Sequence, residues 1–290
     1  MIILLEEYGD LFLDYNLKNN NTYKATSICK YYIIVSDVIK LINLLKYIID
    51  NNLKYFVIGN GSNIILPSYY DGIVIKLNFN EIEFNRNKVI VSSSVMMPIL
   101  VNKCLENNLI DLEFLQGVPG TIGGCAINNA GAYNDEIANY IDELEVLENN
   151  KIKILKRSDI EYTYRSSSLK NRDLVILKVT LKLKKGDKEK AYELIKDRQK
   201  RRMESQPLDM PSAGSVFRNP EGLYAGKLIE DAGLKGYNIN GAEVSQKHAN
   251  FIINKGNATG EDIIKLINYI KDKIKKENNI DLILEQEIIK

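Results

Sequence analysis

Residues 117–133 read GVPGTIGGCAINNAGAY, and Gly117, Gly120, Gly123, Gly124 and Gly131 are five of the chain's eighteen glycines. The stretch is nearly free of charge. An interior glycine costs a helix about 1 kcal/mol relative to alanine, so no ordinary helix is expected here. Glycines permit positive φ and let another group approach the backbone closely. Bare N–H groups turned into a concavity suit an anion, a diphosphate above all. The alternative is a glycine-rich turn between core elements, but Thr121, Asn128 and Asn129 interleaved among five glycines favour a ligand loop.

A second glycine cluster lies upstream. YFVI, residues 55–58, reads as a short buried strand; it runs into Gly59-Asn60-Gly61-Ser62-Asn63 and out through Ile64-Ile65-Leu66. No Gly-Lys-Ser/Thr follows, so this is not a P-loop. No helix opens on the glycines as a Rossmann turn requires. Taken alone, the loop reads equally as a hairpin turn and as a phosphate cradle.

Around these loops the pattern alternates between helix and strand. Ser36 or Asp37 caps an expected helix to about Asp50, with Val38, Ile39, Leu41, Ile42, Leu44, Leu45, Ile48 and Ile49 as its apolar face. GIVIKL (72–77) and KVIVSSS (88–94) read as strands, and Pro98 opens a helix to about Asn107. ELEVLE (143–148) and KIKIL (151–155), joined at Asn149-Asn150, read as a hairpin, and LVILKVTLKLK (174–184) as a long strand. Gly186-Asp187 opens a charged helix to about Met203. Its end carries Arg198, Lys200, Arg201 and Arg202, either a solvated face or a positive rim for a diphosphate substrate. Gln206-Pro207 and Pro211 mark a junction. Thr259 and Asp262 form a capping box ahead of a helix lined by Ile263, Ile264, Leu266, Ile267 and Ile270, and DLILEQEIIK closes the chain as a strand. Interspersed helices and hairpin-like strands point to α+β, not to one doubly wound sheet.

At 290 residues, one large or two ordinary domains are expected. A net charge of +1 creates no global field toward nucleic acid or a membrane surface. Cys29, Cys104 and Cys125 are odd in number and contain no CxxC pair, which argues against zinc and a disulfide framework and for a reducing cytosol. No apolar run approaches the roughly 20 residues of a membrane span. The start, MIILLEEYGD, lacks the basic end and cleavage site of a signal peptide.

GNGSN, GVPGTIGGCAINNAGAY and PSAGSVFRNP occur in this order, with YRSSSLK between the second and third. Together they make the chain resemble the UDP-N-acetylenolpyruvoylglucosamine reductases, from about Asn21 to Glu287, in the type lacking an extra tyrosine-bearing loop. The resemblance implies an α+β fold: a two-subdomain FAD-binding part of the vanillyl-alcohol-oxidase (PCMH) type and a smaller α+β substrate domain. The implied limits are 1–205, with subdomains of about 1–67 and 68–205, and 206–290. Carried over by position, FAD would be held by Gly59, Asn60, Gly61, Ser62 and Asn63, and by Gly117, Val118, Pro119, Gly120, Thr121, Gly123, Gly124, Asn129, Ala130 and Gly131. Arg165, Ser215 and Glu287 match the catalytic positions; Tyr133, Tyr164, Arg218 and Asn219 match the substrate pocket.

The implied chemistry has two halves. NADPH reduces FAD, and the reduced flavin then passes a hydride to the vinyl methylene of a UDP-sugar enolpyruvyl ether. Arg165 and Glu287 would stabilise the charge that develops on the substrate, and Ser215 would protonate the adjacent carbon. The expected partners are that substrate and NADPH, without nucleic acid, membrane insertion or metal, for a cytoplasmic monomer. Glu285 faces the same side of a strand as Glu287 and is the competing acid. The only histidine, His248, is expected to pack or to hydrogen-bond on the substrate side.

Four departures from the family pattern stand out. TYKATSICKY (22–31) replaces a common Gly-Gly pair, Asn134 a glycine, Cys125 an alanine, and Ile289 an arginine. Two rival readings are another flavin oxidase of the same superfold and a non-catalytic flavin-binding module.

Overall fold

The computed structural model describes residues 5–290; residues 1–4, part of the apolar start, lie outside the described residues. Two compact units emerge. The first comprises residues up to 12, 32–59 and 73–199; the second comprises 13–31, 60–72 and 200–290.

In the first unit, helix α1 (Val38–Asp50) is capped by Asp37, whose carboxylate accepts from Lys40 N at 2.8 Å. It buries Leu41, Leu44, Leu45 and Ile48, whereas Ile39 and Ile49, expected on the same face, are exposed because the apolar set is wider than the buried stripe. Tyr55–Ile58 is a strand and pairs in parallel with Ile73–Lys76 of the next long strand. Strand Ile28–Val35, unforeseen in the sequence and divided between the units after residue 31, buries Cys29, Tyr31, Tyr32, Ile33 and Val35.

A five-stranded sheet runs Lys151–Lys156, Ile141–Glu148, Leu174–Lys182, Lys88–Ser92, Ile82–Asn85. Its first two strands form the expected hairpin. Asn149 (φ 53°) and Asn150 (φ 58°) make the left-handed two-residue turn that matches strand twist. Val89, Val91, Leu144, Val146, Val179 and Leu181 share one buried cluster with residues of helix α2 (Met97–Glu106) and helix α3 (Ile122–Asn128).

Helix α3 corrects the expectation that the glycine stretch avoids helix. Gly123 lies against Ser93: a Cβ there would sit 2.8 Å from Ser93 Cβ, and Gly123 N donates to Ser93 O at 2.9 Å. Tertiary packing that only a bare Cα permits outweighs the propensity cost. Gly123, Gly124 and Gly131 have no positive φ; the left-handed positions here are Asn129, Tyr133 and Asn134.

At the hairpin end, Glu148 accepts from Arg172 Nε at 2.8 Å and pairs with Lys153 Nζ at 2.7 Å. Its side chain is 14% exposed, and the Arg172 hydrogen bond, with Lys153 next, pushes its pKa from 4.5 down to about 2. A depressed carboxylate stabilises the fold above its ordinary pKa and loses that contribution as pH falls through the folded value. Glu148→Gln is therefore expected to cost about 2 kcal/mol near neutrality, discounted for the water contact of both cations. The gap between the two proteins should shrink from pH 4.5 toward 2 in urea unfolding at stepped pH. A gap independent of pH would remove the ion pair as its cause.

In the second unit, Asn238–Ile239, Ala242–Val244 and Ile252–Asn254 form a three-stranded antiparallel sheet. It shares a core with helix α4 (Ala225–Asp231) and helix α5 (Gly260–Asn278). The capping box is present: Asp262 N donates to Thr259 Oγ1 at 3.2 Å, and Thr259 N to Asp262 Oδ2 at 3.1 Å. A Cβ on Gly260 would overlap Leu66 O, while Glu261 accepts from Ser68 N and Oγ at 2.8 and 2.6 Å. The start of α5 thus grips the segment that follows the first glycine loop.

Ile64–Ile65 pairs in parallel with Glu287–Ile288. Tyr55–Ile58 and Ile64–Ile65 belong to different sheets and do not pair with each other, so residues 59–63 are not a hairpin turn. The expected terminal strand is shorter than 281–290. Residues 283–285 bond to the 216–218 segment, and 287–289 change partner to 63–65, so only Glu287–Ile288 forms a ladder.

All three cysteines are buried and free. Burial pushes the Cys125 thiol up to about 12, which suits a packing residue and not a nucleophile. No helix among the described residues is long and apolar enough to cross a membrane.

Candidate active site

The two glycine loops meet in the first unit. Gly59 ends strand Tyr55–Ile58, and a Cβ on it would lie 2.9 Å from Thr121 Oγ1. Thr121 caps α3, its hydroxyl accepting from Gly124 N at 3.4 Å. Met97 N donates to Gly120 O and Ile122 N to Val95 O, both at 2.9 Å, so the segment is stitched to the turn after strand Lys88–Ser92. Gly117, Val118 and Pro119 keep contact with solvent, whereas Gly120 and Thr121 are buried. Lys76, which sequence reading passed over, donates from Nζ to Gly59 O, and burial lowers its pKa. The lone charged residue in the apolar GIVIKL strand (72–77) was the available signal.

The rest of the first loop belongs to the second unit. Gly61 is left-handed (φ 61°), a Cβ on it would overlap Asn20 O, and Thr22 N donates to Gly61 O at 3.1 Å. The start of the stretch that lacks the usual Gly-Gly pair thus braces this loop. Asn60, Ser62 and Asn63 are half-buried.

Arg165 sits in the turn of a small hairpin, Tyr162–Thr163 with Ser166–Ser167. Its φ is 56°, a conformation costly for a non-glycine residue. Asn129 Nδ2 donates to Thr163 O at 2.9 Å, Ala138 N donates to Asn129 Oδ1 at 3.3 Å, and Ser167 Oγ donates to Ile127 O at 2.6 Å. The end of α3 therefore clamps this hairpin. Asn129, expected among the cofactor contacts, is fully buried with both ends of its amide committed. It braces Arg165 and presents no surface to a ligand. A Cβ on Gly131 would lie 2.7 Å from Arg165 Nη1, so the guanidinium rests on the bare Cα. It also lies 5.1 Å from the Tyr164 ring centre.

Gly131 belongs to a neighbouring two-residue hairpin whose turn is Tyr133 (φ 56°) and Asn134 (φ 62°); Asn134 adopts the conformation a glycine would take. The Tyr133 hydroxyl donates to Arg198 O at 3.2 Å, and the Arg198 guanidinium lies 4.5 Å from its ring centre. Ala130 lies at the start of this hairpin, its N donating to Cys125 O at 2.9 Å.

In the second unit, Ser215 forms a bridge with Phe251. Val216 N donates to Asn250 O and Glu285 N to Val216 O, both at 2.8 Å. Asn250 also accepts from Phe217 N at 3.0 Å and donates to Phe217 O at 2.8 Å. The Ser215 segment is thus held on two edges. Arg218 Nε is buried without a hydrogen-bond partner. Asn219 Oδ1 accepts from Ala225 N at 3.0 Å and so caps α4. Glu287 is exposed; its N–H donates to Asn63 O at 2.9 Å, and Asn63 Nδ2 donates to Glu285 O at 3.3 Å. The strand bearing Glu287 is therefore in register with the end of the first glycine loop, while Glu285 bonds back to the Ser215 segment. His248 Nδ1 accepts from Asn250 N at 3.2 Å and its ring packs on Phe251.

Residues 206–289 match the C-terminal domain model of UDP-N-acetylenolpyruvoylglucosamine reductase, and 29–152 match an FAD binding domain. A UDP-N-acetylenolpyruvoylglucosamine reductase of Clostridium tetani is 40% identical over 99% of this chain and 95% of its own length. The chain belongs to this reductase family. A second relative of the same name, from Caldanaerobacter subterraneus subsp. tengcongensis, is 38% identical over 97% of the chain and 94% of its own length. The crystal structure of UDP-N-acetylenolpyruvylglucosamine reductase from Thermus caldophilus is similar with a TM-score of 0.83 at 28% identity, covering 97% of this chain and 98% of that one. Phl p 4.0202, a glucose dehydrogenase, shares the fold alone, with a TM-score of 0.52 at 12% identity over 64% of this chain and 44% of that one. The expected α+β flavoprotein fold of the reductase family stands.

The residues present fit an FAD diphosphate. Gly59–Asn63 and Gly117–Gly131 carry no acidic side chain. Gly59 offers a bare Cα beside Thr121, and the Lys76 ammonium lies at the Gly59 carbonyl. Main-chain donors with a cation behind them suit a dianionic bridge.

Proposed function

We propose that this chain reduces UDP-N-acetylglucosamine enolpyruvate to UDP-N-acetylmuramate with NADPH, as a cytoplasmic monomer serving peptidoglycan synthesis. The observation that carries the reading is the left-handed Arg165, clamped by the very glycine segment assigned to the cofactor. Strain of that kind is retained where a side chain must be aimed. Residues 1–205 would form the FAD-binding part and 206–290 the substrate-binding part. Gly59–Asn63, Gly117–Thr121, Gly123, Gly124, Ala130 and Gly131 would hold the cofactor.

Bound FAD would supply the hydride relay from NADPH to the enolpyruvyl methylene carbon. Arg165 offers a fixed fork of N–H donors to the substrate carboxylate, where negative charge grows as the carbon is attacked. Glu287 orients the same end of the substrate. Ser215 Oγ–H then gives its proton to the adjacent carbon. The O–H bond breaks as the C–H bond forms, and solvent restores the hydroxyl. Arg218, with Tyr133, Tyr164 and Asn219, would bind the remainder, the diphosphate attracting the guanidinium.

The purified protein is expected to be yellow, to bleach with NADPH without oxygen, and to recolour with the enolpyruvyl substrate. An absorbance titration under nitrogen reads both halves. Failure of NADPH to bleach bound FAD would overturn the proposal. Bleaching without recolouring would turn it toward another flavin oxidoreductase.

A further inference from the structure

We infer that the buried Tyr23–Gln286 couple positions the Ser215 turn and thereby sets the rate of the serine proton transfer. The inference rests on the function proposed for Ser215. Gln286 is 3% exposed and Tyr23 1% exposed. Gln286 Nε2 donates toward three successive carbonyls, Ala213 O at 3.1 Å, Gly214 O at 3.3 Å and Ser215 O at 3.4 Å.

Successive carbonyls of an extended chain point in opposite directions. Three of them converge on one NH₂ group only because Gly214 is left-handed, with φ 76°. A Cβ on Gly214 would meet nothing within 4 Å, so the glycine is required for its φ and not for space. Carbonyl oxygens only accept, so the NH₂ end of the amide must face them. Its Oε1 then faces Tyr23, and the phenol must be the donor, at 2.9 Å. Burial raises the Tyr23 pKa and keeps that donor protonated. Asn254 Nδ2 anchors Tyr23 from behind, donating to its carbonyl at 2.9 Å.

The couple also ties Ser215 to Glu287. Gln286 lies between Glu285, whose N–H bonds Val216 O, and Glu287, whose N–H bonds Asn63 O. Its side chain points into the core while that of Glu287 is exposed. One residue thus fixes the serine turn and the register of the candidate acid. Neither member was visible as functional in the sequence. Tyr23 lies in the stretch that departs from the family pattern, and Gln286 falls between two glutamates that draw the attention.

The experiment measures both half-reactions by anaerobic stopped flow in Gln286→Leu, Gln286→Glu, Tyr23→Phe and Ser215→Ala, with solvent isotope effects. Gln286→Glu keeps the shape but turns a carboxylate oxygen toward the three carbonyls. Both Gln286 variants are expected to slow recolouring about 30- to 100-fold, the scale of a small misplacement of a reacting group. Tyr23→Phe should slow it about tenfold. Bleaching should stay within about twofold of wild type, and the solvent isotope effect on recolouring should rise as proton transfer becomes limiting. Should a Gln286 variant fail to fold, Tyr23→Phe, which removes one oxygen, carries the test. Recolouring unchanged in Gln286 and Tyr23 variants while Ser215→Ala abolishes it would overturn the inference and spare the proposed function. Both halves slowed alike in the couple's variants would reduce it to a structural support and overturn the inference as well. Recolouring intact in Ser215→Ala would overturn the proposed function itself.

Discussion

Ser215→Ala is expected to bleach with NADPH at nearly the wild-type rate and to recolour about 10³-fold more slowly, the range a positioned general acid contributes. The fold should tolerate the change. What holds the segment is main chain: the bridge of Ser215 to Phe251, the bond from Val216 N to Asn250 O, and the Ser215 carbonyl beneath Gln286. None uses Oγ. NADPH oxidation requires no proton from a serine, so the first half should not register the loss. The second half should retain only the rate that a stray water proton allows, because alanine offers no O–H. A serine hydroxyl is a weak acid, so its use requires a strongly basic carbanion beside it and a fixed turn beneath it. Stopped-flow absorbance of the two halves measured separately is the check. Equal slowing of both would assign Ser215 to binding or folding and withdraw the proton-donor role.

What the sequence made legible follows the range of the interactions involved. A cap at Ser36 or Asp37, a hairpin joined at Asn149-Asn150 and Thr259 with Asp262 as a capping box are all decided within four residues, and each is found, with Asp37 the cap and both asparagines left-handed. The pairing of Ile64 with Glu287 spans more than two hundred positions, so no local pattern announces it. It reclassifies the GNGSN loop from a hairpin turn to a link between strands of two separate sheets. Helix α3 was misread because the favourable term, Gly123 on Ser93, lies outside the segment. The same holds at the candidate site. Family resemblance marked Arg165, Ser215 and Glu287. It did not show that Asn129 spends its amide on the Arg165 hairpin, or that Tyr23 and Gln286 support the serine turn. Residues that bear chemistry carry motif signals, whereas residues that aim them are recognisable only by their contacts.

Gly131→Ala tests that distinction with the smallest possible change. A Cβ at this position would overlap Asp135 O and lie 2.7 Å from Arg165 Nη1. The carbonyl is backbone in a two-residue hairpin and cannot swing aside, so residues 131–136 must open. The guanidinium can move, but then it leaves the position that Asn129 and the clamped turn hold it in. The variant is expected to lose about 1–3 kcal/mol of stability, the usual cost of overpacking. It should also recolour about 100-fold more slowly, since a displaced fork stabilises developing charge poorly. Its affinity for FAD, measured by flavin fluorescence quenching with the apoprotein, should fall by less than about fivefold, because Gly131 is one of many main-chain groups proposed to hold the cofactor. Arg165→Lys, which keeps the charge but loses the fork, should produce a comparable slowing. The double variant should be little worse than either single one, because both act through one guanidinium. A collapse of FAD affinity, with normal recolouring once flavin saturates, would make Gly131 a cofactor contact and nothing more. Full additivity of the two substitutions would sever it from Arg165.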